Sequence, residues 1–511
     1  MKIKIIAAGL IVLSFTSCKK DFLEIGPQNF ISSNNFFQTQ ADFVQAVNAT
    51  YAPLRNLYND AYIMGEMRSD NTHYIINTAN RGNLVREEIA DFNDNPTAVP
   101  VANKWMFNYR IIAYANEVLS RIDAATFDEN VKKNLKGQEL FLRALAYFDL
   151  VQYFGDVPLV LTPTAGSADE IIKVRSAMKR TPKAEIYAQI IKDAQEAATL
   201  LTNKAQQEKG RATSGAAKTL LGNVYIVLKQ WAQAETVLKE EVSSGQYSLL
   251  TDYAAVFDPA NKNNAESIFE VQYQQGNLGL QSSFAYVFLP NLSDIRPIVG
   301  FAFNNNSIGG WNTPTEDLIS AYEPGDKRKA ASLAEGYTNA SGTFVPVPYI
   351  KKYLHLPLPA PNGTAPNTNE NWPVYRYAEV LLSLAEALNE QGKSAEALPY
   401  LNQVRDRAFG AGVARITTTD QAQLREIILK ERRVELAFEN KRWLDLVRTG
   451  KAIEAMTAYG AKVKANPQKY YYPTGLGPLA NTYSVTQNRL LFPIPFSERQ
   501  INPNLTQNPG Y

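Results

Sequence analysis

Residues 420–450, DQAQLREIILKERRVELAFENKRWLDLVRTG, carry the pattern that decides how this chain folds. Asp420 is a suitable helix N-cap, and apolar residues follow it at roughly helical spacing: Leu424, Ile427, Ile428, Val434 and Phe438. Around Trp443, acidic and basic residues are interleaved with that apolar face in near balance: Glu431, Arg432, Arg433, Glu435, Glu439, Arg442 and Asp445. This balance predicts ion pairs that lock one helix against another, because a catalytic cluster more often leaves one sign unpaired.

Two other segments match the spacing of a tetratricopeptide helix pair. Such a pair needs Leu-Gly-x-x-Tyr on its first helix, then Ala and a large apolar residue on its second, because small residues let the helices close. The first segment supplies Leu221, Gly222, Tyr225, Ala234 and Leu238, and the second supplies Leu384, Ala385, Leu388, Ala397 and Leu401. The two units are far apart in the chain, so we expect helix hairpins but no continuous solenoid. The last helices are expected over 375–407 and 420–448.

The stretch between the two units, about 245–372, is dense in Asn, Gly, Pro and Ser, and reads as a loop-rich insertion. A short apolar run at 268–273 predicts an isolated strand within it. Trp311 stands beside Asn312, so the indole could stack on a sugar while the amide binds its hydroxyls. A buried loop anchor is the alternative for Trp311. The polar, turn-rich segment 65–83 adds the further candidate ligand-binding residues His73, Tyr74 and Arg81.

The first residues explain the only cysteine. Lys2 and Lys4 precede an apolar run over 5–15, which is shorter than the roughly 20 residues a membrane span needs. Small residues lead into Cys18, as in a bacterial lipoprotein signal, although a lone buried thiol is the alternative. We therefore expect a signal peptide over 1–17, acylation of Cys18, a tether over 18–38 and a single domain over 39–511.

Composition excludes several classes of function. The formal net charge is +2, and removing Lys2 and Lys4 with the signal peptide balances the charges, which argues against nucleic acid and against a polybasic membrane patch. The chain has no G-x-S-x-G or H-E-x-x-H motif and no nucleotide fingerprint, so we predict neither catalysis nor a cofactor. A pair of carboxylates for glycoside hydrolysis is not excluded, since the two residues must be close in space but need not be close in sequence. His73 has no second ligand at metal-binding spacing, so no metal is predicted.

Four motifs together resemble the SusD/RagB family of surface lipoproteins that partner TonB-dependent transporters. The first is I-x-x-E-R-R-x-E-L-A-F-E-x-K-R-W-x-D-L-x-R-T-G at 428–450. The others are R-A-x-A-Y-F-x-L-x-x-x-F-G-D-V-P at 143–158, P-T-x-D-L-x-x-x-Y-E-x-x-D-x-R at 314–328, and F-P-I-P followed by N-P-G-Y at 492–511. Proline in this last segment predicts an extended tail that clamps the body.

The resemblance implies a mainly α, SusD-like fold, in which tetratricopeptide-like hairpins support the irregular insertion with its short strands. It also implies a protein anchored to the cell outer membrane by lipid and exposed at the surface. Such a protein would be a lid over a SusC-like transporter, capturing an oligosaccharide and delivering it to the channel. Two alternatives remain open: a lid of the same kind that captures peptide, and a surface glycosidase.

Overall fold

A computed structural model describes residues 36–78, 84–164, 167–276, 278–359, 361 and 366–511. The signal peptide, Cys18, most of the tether and Arg81 lie outside these residues. In the part of the chain that the structure describes, none of the helices combines the length and hydrophobicity that crossing a membrane requires.

The elements before the insertion are mostly long helices. They are α1 (Gln40–Asn59), α2 (Tyr62–Gly65), β1 (Thr72–His73), α3 (Leu84–Ala90), α4 (Val99–Leu119), α5 (Glu129–Phe154), α6 (Ala168–Ala177), α7 (Lys183–Leu200), α8 (Ser214–Val227) and α9 (Trp231–Ser243). Thr39 caps α1 in a capping box with Asp42.

The insertion contains short elements, and long helices return after it. The insertion holds β2 (Ser267–Val271), α10 (Phe284–Val287), α11 (Arg296–Val299), β3 (Thr313–Pro314), α12 (Glu316–Ile319), α13 (Lys327–Ser332), β4 (Leu333–Ala334), β5 (Tyr337–Thr338), β6 (Phe344–Val345), β7 (Tyr349–Ile350) and β8 (Trp372–Arg376). Then follow α14 (Tyr377–Glu390), α15 (Ser394–Phe409), α16 (Gln421–Glu435), α17 (Arg442–Arg448), α18 (Ala452–Ala465) and α19 (Phe496–Ile501).

The long helices pack in one continuous series. Helix α1 contacts α4, α4 contacts α5, α5 contacts α7, and α7 contacts α8; the hairpin α8–α9 then packs on α14, which contacts α15 and α16. The two predicted hairpins are therefore neighbours in space although the insertion separates them in sequence. Glu235 on α9 joins them, since its carboxylate lies 2.7 Å from Lys393 Nζ and accepts a 2.8 Å hydrogen bond from Gln391.

Small residues lie where the hairpin helices cross. A Cβ added at Gly222 of α8 would lie 2.5 Å from Leu238 Cδ2 of α9, so only glycine allows this approach. In the second hairpin, Ala385 and Ala397 are fully buried at the equivalent positions. The predicted mainly α fold of helix hairpins with a loop-rich insertion is confirmed.

The insertion is closed at its base by a two-stranded sheet. Strands β2 and β8, from its two ends, pair antiparallel with Glu270 opposite Pro373 and Val271 opposite Trp372. The run 268–273 therefore contains most of a strand, as predicted, but this strand pairs with β8 and is not isolated. The insertion also has a small hydrophobic core of its own, formed by Ala285, Tyr286, Leu289, Ile295, Ile298, Val299, Tyr349 and Leu358.

The helix predicted over 420–448 is interrupted. Asp420 caps its start by accepting a hydrogen bond from the Gln423 amide at 2.8 Å, but α16 ends at Glu435. Phe438 and Asn440 have φ values of 67° and 62°, in the left-handed region that an α-helix cannot contain. The Glu66 carboxylate accepts hydrogen bonds from the amides of both residues, each at 3.1 Å, so the break is built into the fold.

The charged residues of this stretch form buried ion pairs, as predicted. Glu435 contacts three arginines from three different elements: Arg328 of α13 at 2.8 Å, Arg376 of β8 and Arg407 of α15. Arg376 also lies 2.8 Å from Glu439. These pairs connect the insertion to the last helices.

The C-terminal tail lies against the body, with irregular segments on either side of α19. The Phe492 amide donates to the Tyr153 carbonyl at 2.8 Å, and Asn508 Nδ2 donates to the Phe154 carbonyl at 3.0 Å. The expectation that proline excludes helix throughout the tail is wrong at α19, because Pro495 lies at the N-cap, where its missing N–H costs nothing.

Candidate functional site

Strands β1 and β3 bring four predicted ligand-binding residues together. They pair antiparallel, with Thr72 opposite Pro314 and His73 opposite Thr313, so the segment 65–78 meets the loop that carries Trp311 and Asn312. The rings of Tyr74 and Trp311 are 6.1 Å apart. The fifth candidate, Arg81, lies outside the described residues.

His73 and Tyr74 lie beneath this junction, each with 1% of its surface exposed. His73 Nδ1 accepts a hydrogen bond from the Tyr74 amide at 2.8 Å, and Nε2 lies 3.0 Å from the Tyr483 hydroxyl. Burial lowers the pKa of His73 to about 4, so the ring is neutral at pH 7. The Tyr74 hydroxyl donates to Asp91 at 2.8 Å, and burial together with this carboxylate raises its pKa far above the ordinary value.

Asn312 is fully buried in a left-handed conformation, with φ of 55°. Its Oδ1 accepts a hydrogen bond from the Thr72 hydroxyl at 2.7 Å, while Nδ2 has no hydrogen-bond partner among the described residues. In this arrangement a ligand reaches His73, Tyr74 or Asn312 only if the residues above them move. Direct ligand contact by these three residues stays a prediction, and the burial does not favour it.

Trp311 is the outermost of the four, with 9% of its surface exposed. Trp311 is therefore mostly buried and anchors the loop, and a small part of its surface stays exposed. Arg86 of α3 lies over this ring, with the guanidinium carbon 5.2 Å from the ring centroid. Arg86 Nη1 donates to the Tyr62 hydroxyl at 2.9 Å, and Nη2 lies 3.9 Å from Asp60, a distance too long for a strong ion pair.

Amide and hydroxyl groups lie on the loop that leads to Trp311 in the chain. Asn77 Nδ2 donates to the Asn306 carbonyl at 2.8 Å, and Asn304, Asn306 and Ser307 are exposed on the adjoining loop. We call this surface the Trp311 face: Trp311, Arg86, Asp60, Asn77 and the exposed residues Asn304, Asn306 and Ser307. A guanidinium over an indole, with amides on the neighbouring loop, can bind a polyhydroxylated ligand by hydrogen bonds and, where the ring is reached, by ring contact.

Sequence reasoning missed Arg86. Arg86 lies in the run Leu84-Val85-Arg86-Glu87-Glu88, where apolar residues are followed by charged ones, as on an ordinary solvent-exposed helix. Nothing in this run predicts a contact with a tryptophan far along the chain. Among the described residues, no three His, Cys, Asp or Glu side chains group in a way that could hold a metal ion.

The packed helix hairpins and the insertion closed by β2 and β8 define a mainly helical fold with an irregular, loop-rich insertion. Residues 333–511 match the model of the SusD family, and residues 21–226 match the model described as starch-binding and associating with the outer membrane. The chain belongs to the SusD/RagB family.

Relatives match this chain over most or all of its length. SusD-like protein P25 of Formosa agariphila is 28% identical over 100% of both chains. The starch-binding protein SusD of Bacteroides thetaiotaomicron is 24% identical over 80% of this chain and 78% of that protein. Among solved structures, a laminarin-binding SusD-like protein superposes with a TM-score of 0.73 at 27% identity, covering 93% of this chain and 100% of the other.

Proposed function

We propose that this protein captures an oligosaccharide at the outer-membrane surface and passes it to a SusC-like TonB-dependent transporter. The observation that carries the proposal is the Trp311 face, where an indole and a guanidinium 5.2 Å apart are bordered by exposed amides. The likeness to a laminarin-binding protein supports carbohydrate as the ligand class. The description of the N-terminal family model supports outer-membrane association, and the lipoprotein signal that ends at Cys18 supports a lipid anchor.

The geometry supports binding rather than turnover. The polar groups of the Trp311 face are amides, hydroxyls, the Asp60 carboxylate and the Arg86 guanidinium, which donates to the Tyr62 hydroxyl. Asp60 is the one carboxylate among the residues that define this face, whereas glycoside hydrolysis generally uses two. Amides and hydroxyls that hydrogen-bond sugar hydroxyls suit the moderate affinity that release into a channel requires.

Calorimetry with a panel of neutral glucans and unstructured peptides tests this function. We expect at least one glucan to bind, and Trp311→Ala to weaken that binding by about tenfold or more. Phe344→Ala is the matched control, because it removes a ring that is 58% exposed elsewhere in the insertion. If only peptides bind, the ligand class is peptide and the oligosaccharide proposal is wrong. Hydrolysis of a bound glucan by purified protein would favour a glycosidase. Co-purification from detergent-solubilised membranes tests for the transporter.

A further inference from the structure

Helix α4 leaves one of its faces uncovered. Met106, Arg110, Ala113 and Tyr114 are exposed at positions spaced by four, three and one residues, which lie on one side of a helix. Met106 and Tyr114 are 38% and 41% exposed, large values for apolar and aromatic side chains. A surface of this kind usually contacts something.

Two cavities lie along this face, and a third continues from the second along α1. The first, of about 380 Å³, lies between α4, the segment after α5 and α19, and it includes Arg175 and Glu498. The second, of about 280 Å³, lies between α1 and α4. The third, of about 290 Å³, lies beside α1. Arg110 and Tyr114 line both the first and second cavities, and Arg55 lines both the second and third. The cavities therefore form one track, which we call the α1–α4 groove.

The α1–α4 groove has an excess of positive charge. Its basic side chains are Arg175, Arg110, Arg55, Lys209 and Arg211, and its acidic ones are Glu498 and Glu270. The Glu270 carboxylate is already engaged, since it accepts a 2.8 Å hydrogen bond from Asn371. Glu498 lies 3.9 Å from Arg175. Arg211 is also compensated, by Glu208 at 2.9 Å, so the excess rests on Arg55, Arg110 and Lys209. In a chain whose formal charge is only +2, this excess is local to the groove.

The two arginines that join the cavities have no carboxylate partner. Within the described residues neither Arg55 nor Arg110 forms an ion pair. The Arg110 guanidinium donates to Met106 Sδ at 3.9 Å and lies 5.5 Å from the centroid of the Phe107 ring. Most other arginines here, including exposed Arg415 with Asp406, have such a partner. A guanidinium binds carboxylate or sulfate groups in a planar, two-pronged geometry, so both residues are free to receive an anion.

Aromatic and amide groups accompany the charges. Tyr114 offers a ring beside Arg110, and the Tyr273 hydroxyl donates to the Arg55 carbonyl at 2.7 Å, which fixes Arg55 against the second cavity. Asn56 and Asn59 line the same cavity, as does Gln281, whose Oε1 has no hydrogen-bond partner among the described residues. Rings for stacking and amides for hydroxyls suit a sugar polymer better than an acidic peptide, which has no hydroxyl-rich ring.

We propose that the α1–α4 groove binds an acidic oligosaccharide, with Arg55 and Arg110 receiving its carboxylate or sulfate groups and Tyr114 stacking on a sugar ring. The groove approaches the Trp311 face, since Asn59 lines the second cavity and the next residue, Asp60, lies 3.9 Å from Arg86. An extended chain could therefore occupy both surfaces. This inference rests on the proposed function, glycan capture, and specifies that the captured glycan is acidic.

Calorimetry with short oligogalacturonides, sulfated oligosaccharides, neutral laminarin oligosaccharides and polyglutamate tests the proposal. We expect the full chain to bind an acidic oligosaccharide, and the double variant Arg55→Gln/Arg110→Gln to weaken that binding by about tenfold or more. Added salt should weaken it as well, because the contact is electrostatic. Arg415→Gln is the matched control: it also removes an exposed guanidinium, but one outside the groove. Tyr114→Ala, which changes no charge, should weaken binding separately.

Each outcome distinguishes the groove from the Trp311 face. The groove assignment is wrong if no acidic oligosaccharide binds, or if the double variant and Arg415→Gln have the same affinity for it. The proposed function would still stand if a neutral glucan binds the unaltered protein and Trp311→Ala loses that binding. Binding of polyglutamate alone, lost in the double variant, would assign the groove to acidic peptides and overturn the proposal. Circular dichroism of the double variant checks that a loss of affinity is not a loss of fold.

Discussion

The Arg328 guanidinium lies 2.8 Å from the Glu435 carboxylate and ties the insertion to the end of α16. Both side chains are fully buried, and Glu435 also contacts Arg376 and Arg407. Burial alone would raise the pKa of Glu435, but the three guanidinium groups lower it well below the ordinary value, so the carboxylate is charged. One acidic residue thus holds three elements together.

Glu435→Gln should destabilise the protein severely. It leaves buried arginines without their shared carboxylate, a change that costs about 3–5 kcal/mol of the free energy of unfolding. Urea denaturation followed by circular dichroism measures the loss.

Glu390→Gln is the control for this loss, because its partner Arg425 is 42% exposed and such pairs contribute about 1 kcal/mol or less. Equal losses in the two variants would show that the buried ion pairs contribute no more to the free energy of unfolding than an exposed pair does.

Acid should destabilise the protein through His73. The folded ring has a pKa of about 4 because it is buried, against an ordinary value of 6.5. Between these values the unfolded chain binds a proton that the folded chain does not, so the free energy of unfolding falls as the pH drops from about 6.5 to about 4, by up to about 3 kcal/mol. NMR titration measures the ring directly, and His355→Gln leaves a single imidazole for assignment. A His73 midpoint near 6.5 would contradict the burial.

Gly222→Ala should open the α8–α9 crossing. The new Cβ would lie 2.5 Å from Leu238, and relieving this overlap should cost about 1–3 kcal/mol. Thermal unfolding measures the change. Gly477→Ala is a suitable control, since its nearest neighbour, Pro467, lies 3.4 Å from the added Cβ, an ordinary contact. A Gly222→Ala protein as stable as the control would mean that the helices separate without cost.

Arg86 and Trp311 should act as a pair in glycan binding. Because the guanidinium lies on the indole, Arg86→Ala changes the surface that Trp311 presents, and we expect coupling of about 0.5–3 kcal/mol in a double-mutant cycle with Trp311→Ala. Calorimetry with the glucan that binds the unaltered protein gives all four affinities. Purely additive losses would show that the two side chains contact the ligand independently.

Cys18→Ala should release the protein from the membrane. The substitution removes the sulfur that the acyl chains would modify, and no other cysteine is present in the chain. Cell fractionation should find the variant in soluble fractions, while mass spectrometry of the unaltered protein should detect acylated Cys18. Membrane retention of the variant would mean that something other than lipid holds it.

Local sequence patterns predicted the individual elements well. The Asp420 N-cap and the small residues at the hairpin crossings act through neighbours within one helix or helix pair, so spacing alone reveals them. The balanced charges of 420–450 likewise predicted buried ion pairs. The sequence did not predict the break at Phe438, because the Glu66 carboxylate that supports it lies far away in the chain.

The candidate site was predictable only in part. The sequence singled out Trp311 and Tyr74, which β1 and β3 bring together, but it gave no sign that Tyr74 and His73 would be buried beneath the tryptophan or that Arg86 would cover it. Those facts depend on contacts between segments more than 200 residues apart, for which the local pattern carries no signal.

The sequence by itself determined the helices, their caps, the hairpin spacing and the family to which the chain belongs, since each rests on residues close together in the chain. Only the tertiary structure decided that the two hairpins are neighbours, that Glu435 receives three arginines, and that Arg55 and Arg110 lie along one groove. The physical reason is that each helix has an apolar face that could be buried against several other elements. Which element covers it depends on how the whole chain packs, and local sequence does not specify that packing.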